Sequence, residues 1–363
     1  MRNEIGKSEF NKNIMGLRGI CSLLVVLHHM YNGPKNDGWF EVSDVGAEPI
    51  GDFMIFSLRS AVDVFFMISG FLMIPALYRS NSISKFALNR FIRIYPAFIA
   101  TTGLVLIVGP IIHYKYLSGV NFSNWLYYAT LNLFMLPGIF PIEAANVVAW
   151  SLSYEAAFYV VVALVFVAGR RYDSRTAVVV GVCLIAGSIA IFPSACSFLV
   201  GAIVYKLSDR RKSWSIKVPD SLLLPLTGCF FGLTELARQS VGISVYGLYG
   251  AAFFFGIGLF QIIATTSGPG TALLRLPLVQ YLGMISYSLY LWHPMVMFAT
   301  KRVTLALIPE ASPVEKVLFL ATISALPIIA VSHLSHRFIE IRGANFVRRI
   351  LDRRRRSIRF AET

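Results

Sequence analysis

Charge is scarce in this 363-residue chain: Asp, Glu, Lys and Arg make up only 14% of it. A soluble globular domain carries roughly 25%, so there are too few charges to cover a water-facing surface of this size. Acidic residues are the rarer kind, 19 against 33 Lys and Arg, for a net charge of +14. Cysteine is nearly absent. Cys21, Cys183, Cys196 and Cys229 are four single residues in apolar runs with no CxxC pair, which argues against a disulfide framework or a thiolate metal cluster. No metal is expected. The chain shows no repeat of fixed period, no low-complexity linker and no second-domain boundary. Its polar start, MRNEIGKSEFNKNIMGLRG, has no small-residue cleavage site, so residues 17–30 are expected to stay as a first membrane span. What is abundant is apolar, at 56% hydrophobic residues. That composition excludes disorder, collagen and coiled coil, and it asks for a bilayer.

A spanning helix needs about 20 mostly apolar residues. About ten candidate spans begin near Gly16, Asp52 to Ala61, Ala97, Ala149, Thr176, Ser194, Leu222, Ser244, Tyr281 and Val314. With the N-terminus in the cytoplasm, the inward ends of the even-numbered spans are basic. They carry Arg79, Lys85, Arg90 and Arg93, then Arg170, Arg171 and Arg175, then Lys206 to Lys217, and finally RRILDRRRRSIR. The outward segments hold Asp37, Glu41, Asp44, Glu48 and Glu143 instead. This asymmetry puts both termini inside, with Lys301 and Arg302 as the one awkward pair. The fold class expected is therefore all-α: a polytopic membrane protein with about ten transmembrane helices and cytoplasmic termini. Residues 1–345 form the membrane domain and 346–363 a basic tail, read as a lipid-headgroup anchor. Dispersal of the cations among loops argues against a nucleic-acid groove. NWLYYATLNLFMLPGIF would break the parity as a full span, so it is expected as a re-entrant or interfacial helix on the outer face.

Polar groups inside the apolar segments are the candidate site. Arg18 and His29 are eleven residues apart, about 1100° of helix, so they share one face about 16 Å apart along the axis. His28 points about 100° away. Arg18 alone reads equally well as an inner anchor. Asp63, in SAVDVFFMISGFLM, falls at a depth like that of His29 and could orient its ring, or simply cap its helix. Glu155, in AWSLSYEAAFYVVV, lies near the outer start of its span and could serve an acceptor or a base. Trp150 and Ser153 flank it. His293, in SYSLYLWHPMVMF, sits mid-span beside Pro294, which removes a backbone donor; packing and cavity-lining roles are both open. Arg90 and Arg93 share a helical face at the inner loop and suit a polyphosphate. Arg337, Glu340 and Arg342 form either an ion-pair knot or part of the inner mouth. Phosphate-type groups thus gather inside and acid–base groups outside, a division that fits acyl-coenzyme A as donor.

The segments LRGICSLLVVLHHMY, VDVFFMISGFLMI, RFIRIYPAF, WSLSYEAAFYV, ISYSLYLWHP and RFIE, in this order, resemble the acyltransferase family 3 of membrane-bound O-acyltransferases. They run from residue 17 to 340. The resemblance implies transfer of an acyl group, commonly acetyl, from cytoplasmic acyl-coenzyme A to a hydroxyl of a surface or lipid-linked saccharide. The donor is a substrate, with no permanently bound cofactor. A multi-pass protein of the inner (plasma) membrane is implied, with membrane lipid as its surroundings. Arg18 and His29 match the family's Arg and His in the first span, Arg90 and Arg93 its paired-Arg loop, and residues 150–155 its Trp-Ser-Leu-Ser-x-Glu segment. The chain departs from the pattern at Ala156, where a second Glu is common, and at Ile341, where Arg-Pro often begins. Catalytic roles are therefore expected for His29, Arg18, Asp63 and Glu155. Arg18, Arg90 and Arg93 are expected to hold the donor, and Trp150, Ser153 and His293 the acceptor. The competing class is a transporter of a small polar or anionic solute, since mid-membrane His and broken helices also mark transport paths. Against it, no paired halves with matching interruptions are visible.

Overall fold

A computed structural model describes residues 2–41, 49–80, 82–171, 174–208, 218–265 and 268–361. Among these, thirteen α-helices run in order: α1 (Arg2–Asn36), α2 (Pro49–Ser57), α3 (Ala61–Ser80), α4 (Ile83–Val108), α5 (Phe122–Leu133), α6 (Trp150–Arg171), α7 (Ser174–Ile191), α8 (Cys196–Leu207), α9 (Leu223–Gln239), α10 (Ile243–Thr265), α11 (Pro277–Leu307), α12 (Pro313–Ser335) and α13 (Arg342–Ala361). The all-α class is as expected. The ten expected starts fall on, or within two residues ahead of, helices α1, α4 and α6 to α12, and the second spans α2 and the start of α3. By length and hydropathy six segments reach what a membrane span needs: 12–36, 50–80, 83–108, 150–171, 243–265 and 313–351. Helices α7 and α8 fall short because their apolar stretches, 178–191 and 193–207, are brief. Exposed Leu23, Leu27, Val160, Leu164, Val178, Val179 and Val182 form the kind of apolar surface that water does not tolerate and lipid does.

Sequence signals set several boundaries. Ser312 and Glu315 cap α12 reciprocally, with Pro313 in its first turn, where its missing N–H costs nothing. Asn121 accepts from the amide of Asn124 to start α5. That helix has 12 residues, about 18 Å, too short for a roughly 30 Å hydrocarbon core. The chain reverses after it through left-handed Met135 and Gly138. Asn132 then ties down Ala145 and Glu143, and Asn146 donates to Leu291 on α11. The awkward cations have local partners: Lys301 pairs with Asp37, and Arg302 donates to the carbonyl of Ile112 over the Phe298 ring.

Two close helix pairs organise the core. Helix α1 lies along α11, and α3 along α8. A Cβ on Gly283 would stand 2.0 Å from the carbonyl oxygen of Met15, and one on Gly201 1.9 Å from that of Met67. Small residues are what allow backbones to touch in membrane bundles. Gly201→Leu is expected to separate α3 from α8, costing more than the roughly 3 kcal/mol of ordinary overpacking. Thermal scanning in detergent should show the loss; a wild-type melting temperature would mean the helices do not meet there.

Candidate active site

The α1–α11 contact brings two imidazoles together. His293 is fully buried, and its ring centroid lies 5.1 Å from that of His29. Each Nδ1 faces the carbonyl four residues earlier in its own helix: Val25 at 2.9 Å for His29, Leu289 at 3.0 Å for His293. A carbonyl only accepts, so each neutral ring carries its proton on Nδ1. The His293 Nε2 then accepts from the His29 Nδ1–H at 3.3 Å. This places the lone pair of a neutral His29 on Nε2, the tautomer a general base needs. Pro294 contributes too. It cannot donate to the carbonyl of Tyr290, and the His293 ring lies against that carbonyl. His28 takes another face, toward the Ile55 carbonyl at 3.4 Å and the edge of Phe56.

A small cavity of about 90 Å³ opens between α1, α3, α4, α6 and α11, with Arg18, Arg93 and Glu155 in its wall. Glu155 accepts from Ser69 at 2.7 Å and from Tyr159 one turn on. Arg18 is within electrostatic reach of Arg93, Glu155 and Glu340. In the cavity wall itself Arg18 and Arg93 face the single carboxylate of Glu155, a balance that favours an anion. Buried Ser286 also lines the cavity, and its Oγ has no hydrogen-bond partner among the described residues. At one end stands Tyr290, bonded to Ser151 at 2.8 Å, its ring centroid 6.2 Å from His293. Tyr290 is thus the link between the cavity wall and His293; neither histidine lines the cavity itself.

Two expected partnerships change, those of Glu155 and Asp63. Glu155 sits with Arg18 and Arg93 rather than in an outer cluster with His29. The reason is that α6 begins inside the protein: Asn146, Val148, Ala149 and Ser151 before and around its start are all buried, so the outer end of the helix is not the outer face. Asp63 is bonded to Arg238 of α9, not to imidazole. Arg238 also donates to Ser60, while Arg59 makes a bidentate pair with buried Glu235. Two cations and two carboxylates therefore form one knot. Trp150 and Ser153 stay out of the cavity wall, which is made by Ser151, Leu152, Glu155 and Tyr159. Ser153 lies about 200° around the helix from Ser151; it is fully buried, and Trp150 packs on Tyr154. Glu340 takes His336 at 3.1 Å and Ser288, whereas Arg337 and Arg342 flank the Phe338 ring.

Arg90 and Arg93 divide their work. Arg93 lines the central cavity and also an adjoining one, where Arg90 joins it. Tyr159, Tyr290 and Ser69 were not singled out by the sequence. The first two were findable, since Tyr159 is four residues after Glu155 and Tyr290 three before His293, both on the same helical face as their partners. Ser69 had no such signal. Among the described residues no group of three His, Cys, Asp or Glu could hold a metal ion.

Comparison with known proteins follows the same line. A family model described as an acyltransferase domain matches residues 11–334. Nodulation protein 10 of Rhizobium leguminosarum bv. viciae is 28% identical over 46% of this chain and 47% of its own length. The exopolysaccharide production protein ExoZ of Rhizobium meliloti (strain 1021) is 28% identical over 68% of this chain and 79% of its own. A Staphylococcus aureus (strain MSSA476) protein named "Putative O-acetyltransferase" is 25% identical over 79% of this chain and 50% of its own. The chain thus spans about half the length of the first and third of these relatives. No solved structure matches it.

Proposed function

The chain belongs to the acyltransferase domain family, and on that footing we propose that it is a multi-pass O-acyltransferase of the inner (plasma) membrane. It moves acetyl from acetyl-coenzyme A, taken from the cytoplasm, to a hydroxyl of a surface or lipid-linked saccharide. Ten transmembrane helices with both termini inside carry the reaction. The observation behind this reading is the pairing of His29 with His293 beside a cavity that holds Arg18, Arg93 and Glu155.

The chemistry follows from these positions. His29 Nε2 takes the proton from the acceptor hydroxyl as its oxygen attacks the thioester carbonyl. The carbon–sulfur bond then breaks, and the imidazolium returns its proton to the departing thiolate. Alternatively, His29 Nε2 attacks the thioester carbonyl itself, the carbon–sulfur bond breaks to release the thiolate, and the acceptor oxygen then takes the acetyl group from the imidazole while its proton goes to the thiolate. His293 holds the His29 ring in the reactive tautomer, which makes it a positioning residue. Arg18 and Arg93 draw the donor's negative charge inward, and Glu155, fixed by Ser69 and Tyr159, keeps the chamber from being purely cationic. The names of ExoZ and of the staphylococcal relative support a polysaccharide hydroxyl as acceptor and acetyl as the group moved.

The test uses purified protein in nanodiscs with acetyl-labelled coenzyme A and a saccharide extract. Free coenzyme A and label in the saccharide, or transiently in the protein, are the expected result. Intact donor after incubation with extract would overturn the reading.

A further inference from the structure

An apolar groove of about 630 Å³ lies between α6 and α8, with α3 and Ile185 of α7 completing its wall. The sequence builds it from two rows. On α6 the residues Phe158, Val162, Phe166 and Arg170 recur every fourth position. On α8 Leu199, Ala202, Ile203 and Lys206 recur at steps of three and four. Each row therefore lies on one helical face, and each is apolar until its last member, which is a cation. The opposite face of α8 is taken up by α3, where Gly201 meets the backbone of Met67. We propose that this groove binds one anionic phospholipid of the cytoplasmic leaflet, with an acyl chain along α6 and the phosphate at Arg170 and Lys206. Such binding does not depend on acyl transfer.

Three observations carry it. The first is charge. Arg170 and Lys206 stand in the wall, and among its described residues there is no carboxylate. Both cations sit in the last turns of their helices, the ends that the charge asymmetry places inside. Basic pockets between membrane helices on that side suit anionic head groups. The second is the form of the mouth. The Arg170 guanidinium lies over the Phe166 ring, 5.1 Å from its centroid, and exposed Tyr78 meets that ring edge-on at 6.2 Å. A cation and an amphipathic ring thus share one level above an apolar floor, the arrangement of a membrane–water boundary. The third is length. Phe158 to Arg170 is twelve residues, about 18 Å of helix axis, against about 15 Å for one leaflet of the hydrocarbon core. A chain anchored at Arg170 therefore ends near Phe158, at the middle of the bilayer. A lipid-linked acceptor would carry the same phosphate, but its sugar would lie at Arg170, about 22 Å of helix from Glu155, so the groove suits a lipid and not the substrate.

Native mass spectrometry of the full chain in detergent, titrated with phosphatidylglycerol, reads the site without donor or acceptor. One firmly retained lipid is expected, with phosphatidylcholine held several-fold more weakly. Arg170→Ala and Lys206→Ala should each weaken retention roughly fivefold, the usual worth of one cation near an anionic leaflet. Arg175→Ala, which removes an exposed arginine of α7 outside the groove wall, should leave retention unchanged. Ala202→Trp keeps both cations but fills the groove, and should release the lipid. The two cations are exposed at helix ends, so their variants decide the matter even if Ala202→Trp does not fold. Equal losses in Arg170→Ala and Arg175→Ala would mean diffuse surface charge and would overturn the proposal. So would phosphatidylcholine held as firmly as phosphatidylglycerol, or a folded Ala202→Trp protein that keeps its lipid. Displacement by a polyisoprenyl phosphate at lower concentration than phosphatidylglycerol would make the groove an acceptor-tail site and overturn it as well.

Discussion

His29→Ala is expected to lower acetyl transfer by about 10²–10⁴-fold, the usual contribution of a general base, in a protein that still folds. The fold survives because the imidazole is only partly buried and contributes no backbone packing; the α1–α11 contact is made by Gly19, Gly283 and their neighbours. What the variant loses locally is the donor to His293 Nε2, a neutral hydrogen bond of about 1 kcal/mol. His293→Ala should behave differently. The base remains and keeps the Val25 carbonyl on its Nδ1 but loses His293, so kcat falls by less than in His29→Ala and KM for the donor stays put. The measurement is kcat and KM for the donor in three proteins of matched melting temperature. A His29→Ala protein with a normal rate would remove His29 from the chemistry.

The spacing of Arg18 and His29 was legible because a helix fixes angle and rise without help from tertiary structure. The same is true of the apolar segments, each of which became a helix. Partnerships between helices were not legible. Nothing in VDVFF says whether Asp63 meets an imidazole or a guanidinium; that depends on α9, whose TELARQ segment carries Glu235 and Arg238 three residues apart in an otherwise apolar stretch. An acid and a base at that spacing inside an apolar helix were the available signal for the knot. Depth was misjudged at Glu155 for a related reason. Hydropathy marks where a helix begins along the chain, but only the folded segment 134–149 shows that α6 begins beneath other residues. The π-helical turn at His336–Ile341 had no signature at all in HRFIE, although the four-residue spacing of His336 and Glu340 did put them on one helical face.

Asp63 supplies the second large effect, and it separates structure from chemistry. Asp63 is 1% exposed and is bonded to Arg238. Removing one member of such a pair leaves the other as an unmatched buried charge, which typically costs about 3–5 kcal/mol. Asp63→Leu and Arg238→Met are therefore each expected to unfold much of the protein in detergent, with activity lost in step with folded material. Replacing both residues by apolar ones of similar volume is often neutral, so the Asp63→Leu/Arg238→Met double variant should regain most of the melting temperature. Arg59 and Glu235 remain matched to each other by their bidentate contact, which keeps the rest of the knot neutral. Activity per folded molecule then decides the role. If Asp63 is structural, as its geometry indicates, the double variant transfers acetyl at close to the normal rate. If it folds and yet loses activity on the scale of His29→Ala, Asp63 acts on the reaction, and Arg238 is the group that sets its charge and position.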